Sequence, residues 1–597
     1  MTTSPQRSTR ALFSLLTSAA LACSGDSGQS ASETNATLTV TDPTTTATTA
    51  STSGSESATD TASTSAGPGS ASESDTAATT ATATDSDTAA SATDPTTSTT
   101  DPTAATTSAT DPTSTTDPTD TDTDATTGEP IDLCKVQEND AEVACSDEAP
   151  PNSFEPEIQW QWTGPGNEKF SIVTPLIANL TDDDNNGSID LCDVPDVVVV
   201  ASTSSGFPSQ PGHIYVLDGA TGAQHFMIAQ AVDHTVTPAL GDIDGDGLPE
   251  IIAAIVGGNL IAFEHDGALK WQSASNWPDA YSGAIALADV DNDGDVEIIA
   301  GNRLYDHNGL LLWTAPQPAG NWSATAAADL DDDGDLEIIL GHAAYHHDGS
   351  QYYLAPGVQP GYPSVADLDG DGRPEVLITN QSGLTLLEHD GAIKYNGLRP
   401  TGDGAGFTTW LRPSTVHDFD GDKTSEYAVS SANNYTVYEG DAAIVWKAPV
   451  SDQSGIAAGT AFDFLGDGVA EAMYADENFL FIFDGAGKVL LQTPRTSGTL
   501  SEYPIVADID NDGSAEIVVV SNSLGGQPSS PTVQVIRDKE DRWIQARRIW
   551  NQHTYHVTNV REDSTIPQFE KPNWKTLNTY RTNAQIEGGG VCKPIPQ

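Results

Sequence analysis

One nine-residue pattern recurs seven times and limits what kind of fold this chain can take. It reads DIDGDGLPE at 242–250, DVDNDGDVE at 289–297, DLDDDGDLE at 329–337 and DLDGDGRPE at 367–375. It continues as DFDGDKTSE at 418–426, DFLGDGVAE at 463–471 and DIDNDGSAE at 508–516, with intervals of 47, 40, 38, 51, 45 and 45 residues. A short apolar stretch precedes each copy, such as Ser364, Val365 and Ala366, and a β-branched run follows, such as Ile251 and Ile252. A second strand, a DG or NG turn and a third strand come next, as in LIAFEHDGALKW at 260–271 and RLYDHNGLLLW at 303–313. Dipeptides such as Asp266-Gly267 supply the positive φ that tight hairpins require. Four short strands in each repeat of roughly 45 residues predict an all-β chain folded as a β-propeller. A β-solenoid is the competing architecture, but its repeats are shorter.

In D-x-D-x-D-G-x-x-E the carboxylates at positions 1, 3 and 5 converge on one point, and the Glu at position 9 closes the shell. Hard oxygen donors in this number suit calcium, and magnesium much less. Without a cation, carboxylates this close repel and some must protonate. The pattern predicts metal ligands at Asp242, Asp244, Asp246 and Glu250, at Asp289, Asp291, Asp293 and Glu297, and at Asp329, Asp331, Asp333 and Glu337. It predicts the same of Asp367, Asp369, Asp371 and Glu375, of Asp418, Asp420, Asp422 and Glu426, and of Asp508, Asp510, Asp512 and Glu516. At 463–471 Leu465 takes position 3, which leaves Asp463, Asp467 and Glu471 as a weaker set. At 418–426 Lys423 takes the place of the Gly and puts a cation beside the loop.

An eighth, longer variant spans 182–193. Read as an EF-hand-like loop, it offers Asp182, Asp184, Asn186, Asp190 and Asp193, with Gly187 at the sixth position. Its flanks carry no helical pattern, so it reads as the first blade's loop with an insertion.

These loops resemble the calcium loops of the integrin-α-like propellers built from FG-GAP or VCBS repeats. The segment SVADLDGDGRPEVLIT at 364–379 is nearest to that pattern, and the resemblance covers about residues 170–540. It implies calcium ions, mainly structural, in loops joining the first two strands of each blade. The literal Phe-Gly and Gly-Ala-Pro signature is absent, so adhesion in the integrin manner does not carry over.

Eight loops favour eight blades, with seven possible if the first loop belongs to a capping element. The segment 157–162, EIQWQW, resembles the outer strands with their closing aromatic and is placed to complete the last blade from the N-terminal side. Cys134, Cys145, Cys192 and Cys592 are an even four and suit disulfides in an oxidising compartment. Ring closure brings the C-terminus near the first blade, which favours Cys192 with Cys592 and Cys134 with Cys145.

The N-terminus organises the rest of the chain. Arg7 and Arg10 precede an apolar run at 11–22, so 1–23 reads as a signal peptide. Ala20, Leu21, Ala22 and Cys23 resemble a bacterial lipobox, which makes Cys23 a lipidation site, and the following Ser24 resembles outer-membrane sorting; an ordinary A-x-A cleavage site also fits. Residues 24–130 hold 17 acidic residues, no Lys or Arg and no aromatic residue, with TDPT recurring, and read as a disordered stalk. The propeller is placed at 131–540 and a basic, aromatic segment at 541–597.

The formal net charge is −62. A nucleic-acid partner needs a basic footprint that the chain lacks, and a membrane is reached only through a lipid anchor. Local basicity rises only near the C-terminus, where residues 537–593 hold 10 basic and seven acidic residues. Arg547, Arg548, Trp550, His553 and His556 there are candidates for binding an acidic sugar. The alternative is a cap that pairs with the acidic propeller and seals its channel. His265, His307, His347 and His389 each precede a turn and read as hairpin residues. Two functions follow: a surface-displayed, calcium-binding, non-enzymatic module for adhesion or for binding an extracellular glycan or protein, and a calcium-dependent polysaccharide lyase-like enzyme acting on acidic glycans.

Overall fold

The computed structural model describes residues 39–40, 132–137, 143–404, 411–454, 456–523, 527 and 530–594. The leader, Cys23 and nearly all of the stretch 24–130 lie outside the described residues. Thr39–Val40 forms a two-residue strand that pairs with Gln492 and Leu491.

Eight antiparallel sheets of four main strands follow one another along the chain; two carry a short fifth strand, and in the first seven the four run in sequence order from the inner edge outward. The molecule is an eight-bladed β-propeller, and the seven-bladed alternative falls. The inner strands are short: Leu176–Ala178, Ala239–Gly241, Ile285–Ala288, Ala326–Ala328, Tyr362–Ala366, Thr415–His417, Gly459–Phe462 and Ile505–Ala507. Small and β-branched residues dominate them because eight strands crowd one axis. Second strands such as Glu250–Ala254 and Glu516–Val520 are buried along their whole length, since neighbouring blades cover both faces. An outer strand such as Leu269–Asn276 is mostly open to solvent.

The eighth blade is assembled from both ends of the chain. Ile505–Ala507, Glu516–Val520 and Val533–Asp538 come from the C-terminal side, and Pro156–Trp162 supplies the outer strand, pairing Ile158 with Ile536 and Trp160 with Val535. Segment 157–162 therefore closes the ring as its aromatic ending indicated.

The blades are also latched to one another. Trp271 and Trp313 donate their indole N–H groups to the carbonyls of His307 and His347 in the next blade's hairpin, at 2.9 and 2.8 Å. Each ring covers the turn glycine there, Gly309 or Gly349. His307 and His347 thus serve neighbouring blades through their backbones.

The disulfides differ from the expected pairing. Cys134 bonds to Cys192, and Cys145 bonds to Cys592, with Cα atoms 4.7 and 5.0 Å apart. The reason is the path of the N-terminal segment. Cys134 lies on the blade 1 loop, where its carbonyl accepts the Leu191 N–H, while Ala144 runs parallel to Lys593 in an isolated bridge. The C-terminus does return to this side of the ring, but Cys145 meets it there.

Candidate metal loops and the filled channel

Every acidic loop joins the first and second strands of its blade, so all eight lie on one face. Local hydrogen bonding explains the motif. The position-1 carboxylate follows the inner strand and accepts backbone N–H groups from across the loop: Asp242 Oδ1 from Gly245 at 2.7 Å and Oδ2 from Gly247 at 3.0 Å. Asp367 and Asp418 repeat the arrangement. Positions 4 and 6 have positive φ. At position 6 Lys423 does what glycine does elsewhere, at φ +79°, a conformation that non-glycine residues adopt at a cost.

The position-9 carboxylate opens the second strand and is buried. One oxygen accepts the position-2 N–H: Glu250 from Ile243 at 2.9 Å, Glu297 from Val290 at 3.0 Å, Glu375 from Leu368 at 2.7 Å and Glu516 from Ile509 at 3.0 Å. Burial pushes the carboxyls of Glu297, Glu337 and Glu426 up to about 8, and those of Glu250 and Glu375 to about 7, with neighbouring aspartates adding to the rise. Glu471 and Glu516 go well above the usual carboxylate range for the same reason.

The loops differ in what faces these carboxylates. In blade 2 the Lys270 ammonium lies 2.6 Å from Asp244 and 3.1 Å from Glu250, and in blade 5 Lys394 lies 2.6 Å from both Asp369 and Glu375. In blade 4 His346 Nδ1 meets Glu337 at 2.9 Å. Blade 8 is the opposite case. Glu516 and Asp508 are fully buried, and Glu516 Oε1, Asp508 Oδ1 and Asp510 Oδ1 have no hydrogen-bond partner among the described residues. Orphaned buried carboxylate oxygens are costly, and this all-oxygen donor set fits a calcium ion. Asp418, Asp420, Asp422 and Glu426 also bring one oxygen each within 4.8 Å of one another. Asp331 and Asp333 do so with His346.

Blade 1 contains the insertion read from the sequence. Asp182 accepts from Asn186 and Gly187, and the buried Asp193 closes the turn by accepting from Asp183, Asp184 and Asp190. The residue that corresponds to position 9 is Asp196, which accepts the Leu180 N–H at 2.9 Å and is pushed by burial up to about 8. Asp196 was missing from the predicted ligands, although its place at the head of a β-branched run matched that of Glu250. Lys270 and Lys394 were missed too; the signal was the Lys before the closing aromatic in GALKW and GAIKY, where blades 3, 6 and 7 have Leu312, Val445 and Leu490.

In the basic C-terminal segment Arg547, Arg548, Trp550, His553 and His556 are all buried. The segment fills the channel, because eight inner strands present unpaired backbone edges that need partners. Trp550 pairs with Ile177, Asn551 accepts from Leu240, and Gln552 accepts from Leu287. Thr554 donates to Thr325 beside blade 4, and Asn573 donates to Val365 in blade 5. Tyr580 pairs with Val416, Thr460 donates to the Arg581 carbonyl, and Asn583 donates to Val506. Each of the eight blades is therefore touched at or next to its inner strand.

The cationic groups are spent inside. Arg547 donates to Tyr555 Oη and to the Val557 and Val560 carbonyls, and Arg548 pairs with Glu562 at 2.8 Å. Arg581 donates to Ser364 and to the Ser414 and Pro363 carbonyls. His556 meets Glu570 at 2.6 Å, while His553 stacks on Tyr362. Burial, then the charge of Arg581, hold His553 well below the usual imidazole range. On the loop face a cavity of about 1090 Å³ is lined in part by Asp367, Asp418, Lys423, Trp574, Lys575 and Asn578.

Residues 242–300, the second repeat and the start of the next, match the family model of the FG-GAP-like repeat. No curated protein matches the chain. Among solved structures, the biofilm matrix protein Bap1 of V. cholerae is similar with a TM-score of 0.63 and 21% identity, over 74% of this chain and 100% of that one. The exotype rhamnogalacturonan lyase YesX has a TM-score of 0.45 and 16% identity, over 75% of this chain and 84% of that one. The rhamnogalacturonan lyase PL11 of Bacillus licheniformis has a TM-score of 0.44 and 16% identity, over 74% and 84%. At these identities the likeness is one of fold.

Proposed function

We propose that this chain is an exported, calcium-stapled β-propeller that binds an extracellular glycan or protein without transforming it, displayed through a lipid on Cys23 and a stalk at 24–130. The observation that carries the reading is the burial of Arg547, Arg548, Trp550, His553 and His556. An enzyme cleaving acidic polysaccharide needs a base and a cation facing solvent, and here Arg547, Arg548, His553 and His556 are engaged in holding the ring. Calcium acts in this reading as a staple. The buried, unpartnered oxygens of Asp508 and Glu516 support it, and two disulfides suit an oxidising compartment.

The alternative is a lyase-like enzyme, and one observation favours it: the loop-face cavity brings Lys423 and Lys575 beside the carboxylates of Asp367 and Asp418. The test is one experiment with two readouts. The full-length protein is mixed with polygalacturonate and alginate in calcium, and retention and ultraviolet absorbance of unsaturated products are followed together. Retention of either glycan without product supports the binding module. Calcium-dependent product formation abolished by Lys423→Ala overturns it.

A further inference from the structure

The two faces of the propeller differ in charge. With their closing residues, the eight loops hold 36 carboxylates against two basic side chains, Arg373 and Lys423. The opposite face is made of the turns between second and third strands and the connections between blades. Among its described residues, the charged side chains that are not buried are Glu168, Lys169, Asp279, Arg399, Asp403 and Glu477. Serine, asparagine, glutamine, glycine and proline make up most of the rest, as in residues 203–210 and 315–323.

Three partly exposed rings gather on that sparsely charged face. Phe207 lies 4.9 Å from Tyr281 and 6.1 Å from Trp322, and Tyr281 lies 6.3 Å from Trp322, between ring centroids. They come from three separate connections. Trp322 packs on Ala284, Ala324, Tyr362 and Ile456, residues at the ends of inner strands and in a connection between blades, so the cluster sits over the mouth of the filled channel.

The cluster is held in place from beneath. The His234 ring, itself buried, bonds to Gln210 through Nδ1 and to the Gly206 carbonyl through Nε2, and so fixes the loop that carries Phe207. Ser282, beside Tyr281, bonds through its hydroxyl to Ser501 at 2.6 Å and has φ +56°. Trp322 has φ +57°. A bulky residue with positive φ is an outlier that persists only where the surroundings impose it, and such outliers gather at ligand sites.

We propose that Phe207, Tyr281 and Trp322 form the seat for an uncharged polysaccharide, with the rings against the C–H faces of sugar units and the surrounding serine, asparagine and glutamine side chains serving the hydroxyls. Charge decides the class. A polyanion is repelled by the acidic chain and finds few cations on this face, whereas a polycation is drawn to the loop face. A neutral sugar chain pays no such cost, and aromatic rings held rigid in advance lose little entropy on binding it. The inference rests on the binding-module reading and names its ligand class and seat.

The test is affinity electrophoresis of the full-length protein in calcium-containing gels with glucomannan, xyloglucan, dextran, polygalacturonate or alginate. Tyr281→Ala and Trp322→Asn are run beside wild type; asparagine tolerates the positive φ, and melting curves check folding. Retardation by a neutral gel that weakens tenfold or more in Tyr281→Ala, with its melting curve unchanged, supports the proposal. Equal retardation of wild type and a folded Tyr281→Ala overturns the seat. Retardation by the acidic gels alone overturns the ligand class while leaving a binding module. No retardation in any gel overturns this proposal together with the glycan form of the function above, and leaves protein binding as the form to pursue.

Discussion

The indole of Trp160 covers Gly222 and donates its N–H to the Gly219 carbonyl at 2.6 Å, so the strand that closes the ring also grips the first blade's hairpin. Gly222 has φ +68°, and a Cβ there would lie 2.4 Å from the Trp160 ring. Gly222→Ala therefore has to displace the indole and hold alanine in the left-handed region. The expected loss is roughly 2–4 kcal/mol, read as a lower melting temperature in calorimetry.

Calcium should matter unequally among the loops. In blade 8 no side-chain cation among the described residues meets Glu516 Oε1, so at neutral pH Glu516→Gln should raise the melting temperature in excess chelator by removing the cost of protonating a buried carboxylate. In calcium the same change should lower it by removing a ligand. Lys270→Met should do its harm in chelator, where the ammonium is the counter-charge for Asp244 and Glu250. Calorimetry of the variants with and without calcium checks both signs; if the ion does not bind, all the differences between the two conditions vanish.

The pH dependence has a definite sign. The carboxyls of Glu297, Glu337 and Glu426 are raised by burial from 4.5 to about 8 in the metal-free fold. A folded state that holds its proton more tightly than the unfolded chain is most favoured below pH 4.5. It loses that advantage as the pH rises through about 8. In chelator the melting temperature should fall across this window, and added calcium should flatten the fall. A pH series of melting curves in both conditions measures it.

Filling the channel is a structural role with a structural cost of loss. Trp550 is fully buried and stacks on Tyr555 with centroids 4.4 Å apart. Trp550→Ala should cost about 3–5 kcal/mol and make the C-terminal segment sensitive to protease. Limited proteolysis followed by mass spectrometry reads the cut sites directly.

The strands, turns and loops were legible because each repeat carries its own local signal: a β-branched run, a DG turn and a carboxylate series. Pro156–Trp162 was legible for the same reason, since it matches the other outer strands. What escaped was set by distant contacts. The pairing of Cys145 with Cys592 depends on residues 143–145 running beside the C-terminus, and nothing local encodes that. The burial of His553 was not legible, because its stacking partner Tyr362 becomes a neighbour only when the ring closes around it. Lys270 and Lys394 were visible as residues but not as counter-ions, because their role depends on an outer strand bending over a loop some 20 residues earlier in blade 2 and in blade 5.

The two ends of the chain share one consequence in time. Trp160 waits for Val535, and Cys145 waits for a partner 447 residues later. A polypeptide made N-terminus first can form its middle blades as they emerge. It cannot finish the eighth until Val533–Asp538 meets Pro156–Trp162, and the axis is filled only by the residues that follow. Until then the early blades expose the strand edges that those residues will occupy. A chain cut short near residue 540 would have every repeat and its ring-closing strand in place around an axis of unpartnered inner strands, so the segment that fills the axis commits the ring to its final state.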